Sequence, residues 1–396
     1  MHPVYALEDL PDPCRASLFL AGPTPRDPVT PSWRPGALRL LAELGYTGAV
    51  VIPEARDGEW RHSYTDQIGW EVAMRARADL IVFWVPRELP AMPAFTTNIE
   101  FGEDYGNCRS LYGHPAEAQK CRYPDSRWEA ITGRAPHESL RALLAEAVAL
   151  LGEGAERCGA ERDVPLAVWR SEPFAEWYRA QAAAGHVLRQ FQVRHVLPRG
   201  PRHPASPLFG FLAWAAVAVA GEERVKANEV FLARPDTVAV VPVFDSGVDG
   251  PFAEAFLARE YRLAVRSPSG FAVEPPGGSS PVAGLPLRAI ALEELAEELG
   301  LRRVDPARLT DLGSRQCAAS LCSHHAHVFA LALFATEAQK LRKFAEEGRV
   351  FGADGEERIQ VVRQPLAGPF DASLDWAGIG MLVQAARALA PRKKHK

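Results

Sequence analysis

The chain has 396 residues, 47% hydrophobic and 24% charged, enough for two domains that each bury a core of their own. A formal net charge of −4 offers no basic surface on which nucleic-acid binding could be argued. The N-terminus lacks a basic segment followed by an apolar core, and the longest apolar run, Leu208 to Ala220, is too short and too Ala-rich to span a bilayer. A cytoplasmic protein with no membrane partner is expected. The cysteines Cys14, Cys108, Cys121, Cys158, Cys317 and Cys322 are scattered without a Cys-x-x-Cys pair, which fits reduced thiols rather than a disulfide framework.

In chain order, strand-like runs from Ser17 to Ala21, Ala49 to Ile52 and Leu80 to Val85 alternate with helix-like segments, predicting a parallel sheet flanked by helices. The first run enters a turn at Gly22, with Arg26 placed to meet an anion. Asp66 and Glu71 lie in the segment before the third run, Asp79 heads that run, and Asn98 and Glu100 follow in Thr96-Thr97-Asn98-Ile99-Glu100-Phe101-Gly102. Ligands of open parallel sheets sit beyond the carboxyl ends of the strands, and these polar groups are candidates for that edge. Glu100 also has a plainer reading, as a carboxylate at a helix N-terminus where the dipole favours it. A helix from Glu138 to Leu151 ends at Gly152-Glu153-Gly154, which closes a first domain over 1–153.

Residues 154–207 read as a connector. Trp169, Phe174, Trp177 and Tyr178 fall in a helical hairpin or strand-helix unit, and Leu197 to Pro204 is too proline-rich for regular structure. Such an aromatic cluster is more often core or interface than a base-stacking platform. The second domain takes 208–390, and 391–396 form a basic tail.

Within the second domain Gly277-Gly278 makes a turn, and the helix that follows carries Glu294, Glu297 and Glu298 at spacings that place neighbours on one face, with Leu295, Leu299 and Leu301 turned inward. These acids are either a solvated helix face or a Mg²⁺-diphosphate site, since clustered carboxylates repel until solvent or a hard cation neutralises them. The glycine turn favours the second reading. Cys317, Cys322, His324, His325 and His327 are zinc-ligand types, but their spacing matches no closed four-ligand site, and a loop leading into a strand from His327 to Phe334 is preferred. Glu356 and Glu357 lie before the strand Ile359 to Val362 and read on their own as a polar turn.

Two family resemblances rest on these segments. Residues 15–152 resemble the nucleoside 2-deoxyribosyltransferase and deoxynucleotide N-glycosidase family, in which a strand ending in Gly (Gly22), an Asp-headed strand (Asp79) and a Glu-x-Gly segment (Glu100-Phe101-Gly102) recur in this order, with an Asp and a Trp (Asp66, Trp70) on the helix between. The resemblance implies a Rossmann or flavodoxin-like sheet. It implies Glu100 as a nucleophile on the anomeric carbon, Asp79 and Glu71 on sugar hydroxyls or base, and Gly22, Arg26, Asp66 and Asn98 toward the substrate. Phe19 stands where relatives carry Tyr.

Residues 222–370 resemble the Nudix hydrolase family through Asp236 to Val243 as opening strand, Arg259-Glu260-Tyr261-Arg262, and Glu293-Glu294-Leu295-Ala296-Glu297-Glu298-Leu299-Gly300-Leu301 as the second half of its box. Glu293 replaces the family's Arg, and the loop from Ser279 to Leu287 lacks its Glu. This resemblance implies an α/β/α sandwich with a mixed sheet, and Mg²⁺ or Mn²⁺ held by Glu294, Glu297 and Glu298. It also implies a further acid at Glu356 or Glu357 in place of a polar turn, and catalytic roles for Glu294 and Glu357, with Gly277, Gly278 and Arg262 toward the substrate. Together the two resemblances imply a bifunctional nucleotide-processing enzyme, joining diphosphate hydrolysis to N-glycosidic cleavage or deoxyribosyl transfer. The alternative is a glycosidase or transferase whose altered box is a non-catalytic nucleotide-sensing or oligomerisation module. Nucleoside or nucleotide substrates and a homodimer are the expected partners.

Overall fold

Five short apolar strands, β1 (His2–Tyr5), β2 (Ser17–Ala21), β3 (Ala49–Ile52), β4 (Leu80–Trp84) and β5 (Ser110–Gly113), pair in the order β1-β3-β2-β4-β5, all parallel. Side chains alternate across a strand, so Leu18 and Leu20 of β2 enter one apolar cluster and Phe19 and Ala21 another. Helices α1 (Arg34–Glu43) and α5 (Leu140–Leu151) cover the first face, and α2 (Tyr64–Arg77), α3 (Phe95–Asp104) and α4 (Arg122–Thr132) the second. Burial on both faces explains why the inner strands β2, β3 and β4 read as unbroken apolar runs. The fold is α/β, as the alternating pattern predicts.

The computed structural model describes residues 1–26, 29–58, 63–245, 254–279, 285–352 and 357–390. It divides into two units, Met1–Arg234 and Pro235–Lys396. Glu356, part of the loop after Ser279, and the tail 391–396 lie outside the described residues. Among the described residues no helix is long and apolar enough to cross a membrane.

The stretch expected as a helical hairpin or strand-helix connector supplies α6 (Leu166–Trp169), α7 (Glu172–Ala183) and a long strand, β6 (Val187–Pro198). β6 pairs antiparallel with β7 (Leu208–Ala218), which also pairs with β8 (Val225–Lys226) and β9 (Val230–Ala233). The aromatic residues of this stretch are core: Phe174 stacks on Tyr178 with centroids 5.5 Å apart and meets Phe191 edge-on at 5.4 Å.

In the second unit β10 (Thr237–Phe244), β11 (Glu254–Tyr261), β12 (Phe271–Glu274), β13 (Gly277–Gly278), β14 (Leu309–Gln316), β15 (His325–Ala332), β16 (Val350–Phe351) and β17 (Ile359–Pro365) form one mixed sheet, in which β10 and β15 are parallel. Helices α8 (Leu287–Leu299) and α9 (Ala335–Glu346) pack with Val238, Val240 and Phe256, while α10 (Trp376–Leu389) packs with Val241, Val243 and Leu257. The sheet is therefore sandwiched between helices.

Candidate functional site

From β2 the chain passes to β3 on one side and then crosses back over β2 to β4 on the other, so the strand order reverses between β2 and β4. Such a switch point leaves a crevice outside the carboxyl ends of the strands. A cavity of about 170 Å³ opens there, lined by Gly22, Arg26, Arg34, Gln67, Glu71 and Glu100 together with Tyr64 and Phe95. At Gly22 φ is +155°, and a Cβ would lie 2.2 Å from the Trp84 carbonyl; only glycine lets the chain cross β4 this closely.

Arg34, at the start of α1, fastens that crossing. Its buried guanidinium donates to the carbonyls of Leu20 at 3.1 Å and Gly22 at 2.6 Å, to Thr24 Oγ1 at 3.2 Å, and pairs with Glu54 at 2.6 Å. A buried cation needs such compensation. Arg26 lies over the Phe95 ring at 5.3 Å, a cation–π contact between two residues of the cavity lining.

Glu71 on α2 and Glu100 on α3 face one another. Glu71 accepts from Gln67 Nε2 at 2.7 Å, and its charge acts on Glu100. Burial and the neighbouring Glu71 charge push the Glu100 carboxyl up to about 7, against the pull of Arg75 and Arg34. Two facing carboxylates in a partly desolvated cavity favour retaining one proton between them. Glu100 is the sixth residue of α3, whose N-cap is Ala94, so the helix-capping reading is corrected: this carboxylate lies mid-helix, directed into the cavity.

Three expected site residues lie elsewhere. Asp79 precedes β4, at the amino edge of a parallel sheet whose cavity opens at the carboxyl edge. It is 2% exposed and accepts from Arg157 Nη1 and Nη2 at 2.7 and 2.6 Å, Ser17 N at 2.7 Å and Leu166 N at 2.6 Å. Its acceptor capacity is spent on tying the chain at 157–166 to the sheet. Asp66 is exposed and accepts from the Ser63 hydroxyl at 2.7 Å, while Ser63 caps α2. Asn98 is exposed and accepts from the buried Arg87. Asp79, Asp66 and Asn98 are thus corrected to structural roles. Phe19 is core.

Sequence reasoning missed Arg34, Tyr64, Gln67 and Phe95. Tyr64, Gln67 and Glu71 recur at three- and four-residue steps, a signal that they share one face of α2. Nothing local marks Arg34, because its partners come from other elements.

In the second unit β13 runs beside β10 and under α8. A Cβ on Gly278 would lie 2.3 Å from Glu294 Oε1, and Gly277 N–H donates to Glu298 Oε2 at 3.2 Å. Glu298 is 7% exposed; burial and the Glu294 charge push its carboxyl up to about 9, opposed by the Gly277 amide and Arg262. Burial and the charges of Glu297, Glu357 and Glu293 push Glu294 up to about 7. Arg262 lies among these acids, 2.9 Å from Glu260 and with Nε 2.9 Å from Glu274.

Glu297 and Glu357 are exposed, and among the described residues no three acidic, imidazole or thiol side chains come close enough to hold an ion. The expected Glu294, Glu297, Glu298 triad is corrected in this respect: Glu298 flanks the buried Leu295 and Leu299, whereas Glu297, about 100° further round α8, points to solvent. Two helix carboxylates beneath a glycine strand fit Mg²⁺ only together with phosphate oxygens of a bound ligand, which is how Mg²⁺ is commonly held. In the cysteine- and histidine-containing segment, β15 begins at His325, and His327 Nε2 meets Asp236 at 3.0 Å.

No family model matches this chain, and no curated protein matches it. A solved structure described as "Crystal structure of ADP compounds hydrolase" is similar at 20% identity, over 51% of this chain and 96% of its own, with a TM-score of 0.31. A TM-score this low carries no argument about fold or function.

Proposed function

We propose that the chain is a nucleotide-processing enzyme whose first unit cleaves or exchanges an N-glycosidic bond through Glu100. The observation that carries this reading is the facing pair Glu71 and Glu100 in the switch-point cavity, with Arg26 and the Phe95 ring beside them. A Glu100 carboxylate oxygen bonds to the anomeric carbon as the carbon–nitrogen bond breaks and its electron pair leaves with the base, which takes up a proton. Water or a second base then attacks the same carbon and frees Glu100. Glu71, held by Gln67, keeps its partner oriented. Arg26 supports binding of an anionic substrate such as a nucleoside phosphate.

The test is free-base release from a panel of deoxynucleosides and their monophosphates. Base production by wild-type protein, abolished in Glu100→Gln, supports the proposal, and equal rates in both proteins refute it.

For the second unit the same reading assigns hydrolysis of a nucleoside diphosphate derivative at Glu294 and Glu298, with Arg262 toward the diphosphate. Mg²⁺ or Mn²⁺, when bound, would polarise a phosphoryl oxygen. The close approach of Gly277 and Gly278 to these carboxylates supports it. A second reading, in which this unit binds nucleotide without hydrolysing it, is favoured by Glu293 in the family's Arg position and by the outward-facing Glu297. Monophosphate release with Mg²⁺ separates the two readings.

A homodimer in a cytoplasmic setting completes the proposal. Tyr64, Ile68 and Val72 on α2 and Phe95 and Ile99 on α3 are exposed apolar residues at helical spacing, of which Tyr64 and Phe95 line the cavity, a pattern of the kind that marks an interaction surface.

A further inference from the structure

A second cavity in the first unit, of about 400 Å³, is lined by Glu103, Tyr105, Arg109, Arg194, His195 and Arg202, among others. We propose that it binds a phosphate group, either inorganic phosphate or the phosphate of a nucleotide, at a site separate from the Glu100 cavity.

The strand geometry is the first reason. Along β6, Val193 pairs with Ala213 and His195 with Leu212, so Arg194 is an extra residue in a bulge. In a regular strand Arg194 and His195 would point to opposite faces. Both residues line one cavity, together with Val193 and Val196, and bulges are over-represented beside functional sites.

Charge is the second reason. Arg202 enters from the loop after β6, with Nη1 donating to the Gly106 carbonyl at 3.1 Å and Nη2 lying 3.4 Å from His195 Nε2. Arg109 is held by the carbonyls of Arg75, at 3.2 Å, and Ala78. The single acid of this lining, Glu103, is bound to Arg75 at 2.9 Å. Among the described residues neither Arg194 nor Arg202 is ion-paired, and Arg109, beside Asp104 with its guanidinium on backbone carbonyls, adds a third arginine to the lining.

Guanidinium forks match phosphate oxygens, and a cleft lined by one sign of charge concentrates its counter-ion. The carbonyls at the C-terminus of α3 oppose an anion here. Arg202, donating to the nearby Gly106 carbonyl, offsets that opposition. The volume suits a phosphate alone or a small nucleotide, whose base could lie against Tyr105.

The test is titration calorimetry on the full chain with inorganic phosphate and with a deoxynucleoside monophosphate, comparing wild type, Arg194→Glu and Arg26→Ala. Arg194 is exposed and carries no ion pair, so Arg194→Glu should unfold at the wild-type temperature. The expected result is phosphate binding that weakens at least about tenfold in Arg194→Glu, by removal of a charged contact, and holds within about twofold in Arg26→Ala. Monophosphate binding that is tighter than phosphate binding and is weakened by Arg194→Glu, measured in an Arg26→Ala background that lacks the anion contact of the Glu100 cavity, would identify a nucleotide as the ligand of this site, and equal binding there would identify free phosphate. The proposal is overturned by no phosphate binding up to about 10 mM, by equal affinity in Arg194→Glu, or by loss of binding in Arg26→Ala.

Discussion

Asp79 heads an apolar strand in the way a catalytic acid of the resembled family would, yet its contacts assign it to the scaffold, and Asp79→Asn separates the two roles. The substitution keeps the shape and removes the charge, leaving Arg157, itself 1% exposed, with an uncompensated buried guanidinium. It also weakens two backbone amide bonds, from Ser17 and Leu166, that converge on the same carboxylate. Removing one partner of a buried, hydrogen-bonded pair costs about 3–5 kcal/mol. In a unit of this size each kcal/mol lowers the midpoint by about 2–4 °C, so thermal unfolding should move down by roughly 6–20 °C. Arg157→Met should cost a similar amount, and the double variant Asp79→Asn, Arg157→Met should recover part of it, because two neutral groups in contact are less damaging than one orphaned charge. The assay is circular dichroism against temperature, run beside base release at 20 °C. An Asp79→Asn protein with a wild-type midpoint and no base release would refute the scaffold assignment.

Base release should rise with pH from about 6 to 8, since the nucleophile must be ionised and the Glu100 carboxyl is held up at about 7; a flat rate over that range would exclude Glu100 as the ionising group. Glu298 binds its proton up to about pH 9 when folded but has an ordinary value of 4.5. Between those values the folded state holds more protons than the unfolded chain, so stability falls as pH rises through the window. Unfolding midpoints taken at pH 6 and pH 9 should therefore differ less in Glu298→Gln than in wild type. Gly22→Ala should lose about 1–3 kcal/mol, from a strained positive φ and a Cβ driven into the Trp84 carbonyl, read as a lower denaturant midpoint. Gly278→Ala should displace the Glu294 carboxylate and abolish any Mg²⁺-dependent monophosphate release while leaving base release intact.

The three central strands β2, β3 and β4 were legible because burial on both faces makes them continuous apolar runs, whereas the short outer strands β1 and β5 were not, and α5 was legible because Gly152 ends it. Glu100 and Glu71 could be picked out singly, but their pairing depends on how α2 and α3 lie over the sheet. Asp79 misled because the residue that explains it, Arg157, lies 78 positions downstream. Arg34 was invisible for the same reason. The long β6 was hidden by polar positions such as Arg189, Gln190, Arg194 and His195 and by three register slips, which break the two-residue alternation that marks a strand. On α8 the acidic run showed the glycine-facing carboxylates, but spacing alone could not separate Glu298, beside Leu295 and Leu299, from the outward Glu297.

The most direct measurement is trapping of a glycosyl-enzyme: incubation of the full chain with a slowly resolved 2-fluoro deoxynucleoside analogue, followed by peptide mass spectrometry. A sugar adduct on the peptide carrying Glu100, lost in Glu100→Gln, is the predicted result. Release of free base with the label on another residue, or with no label on any, would contradict Glu100 as the nucleophile.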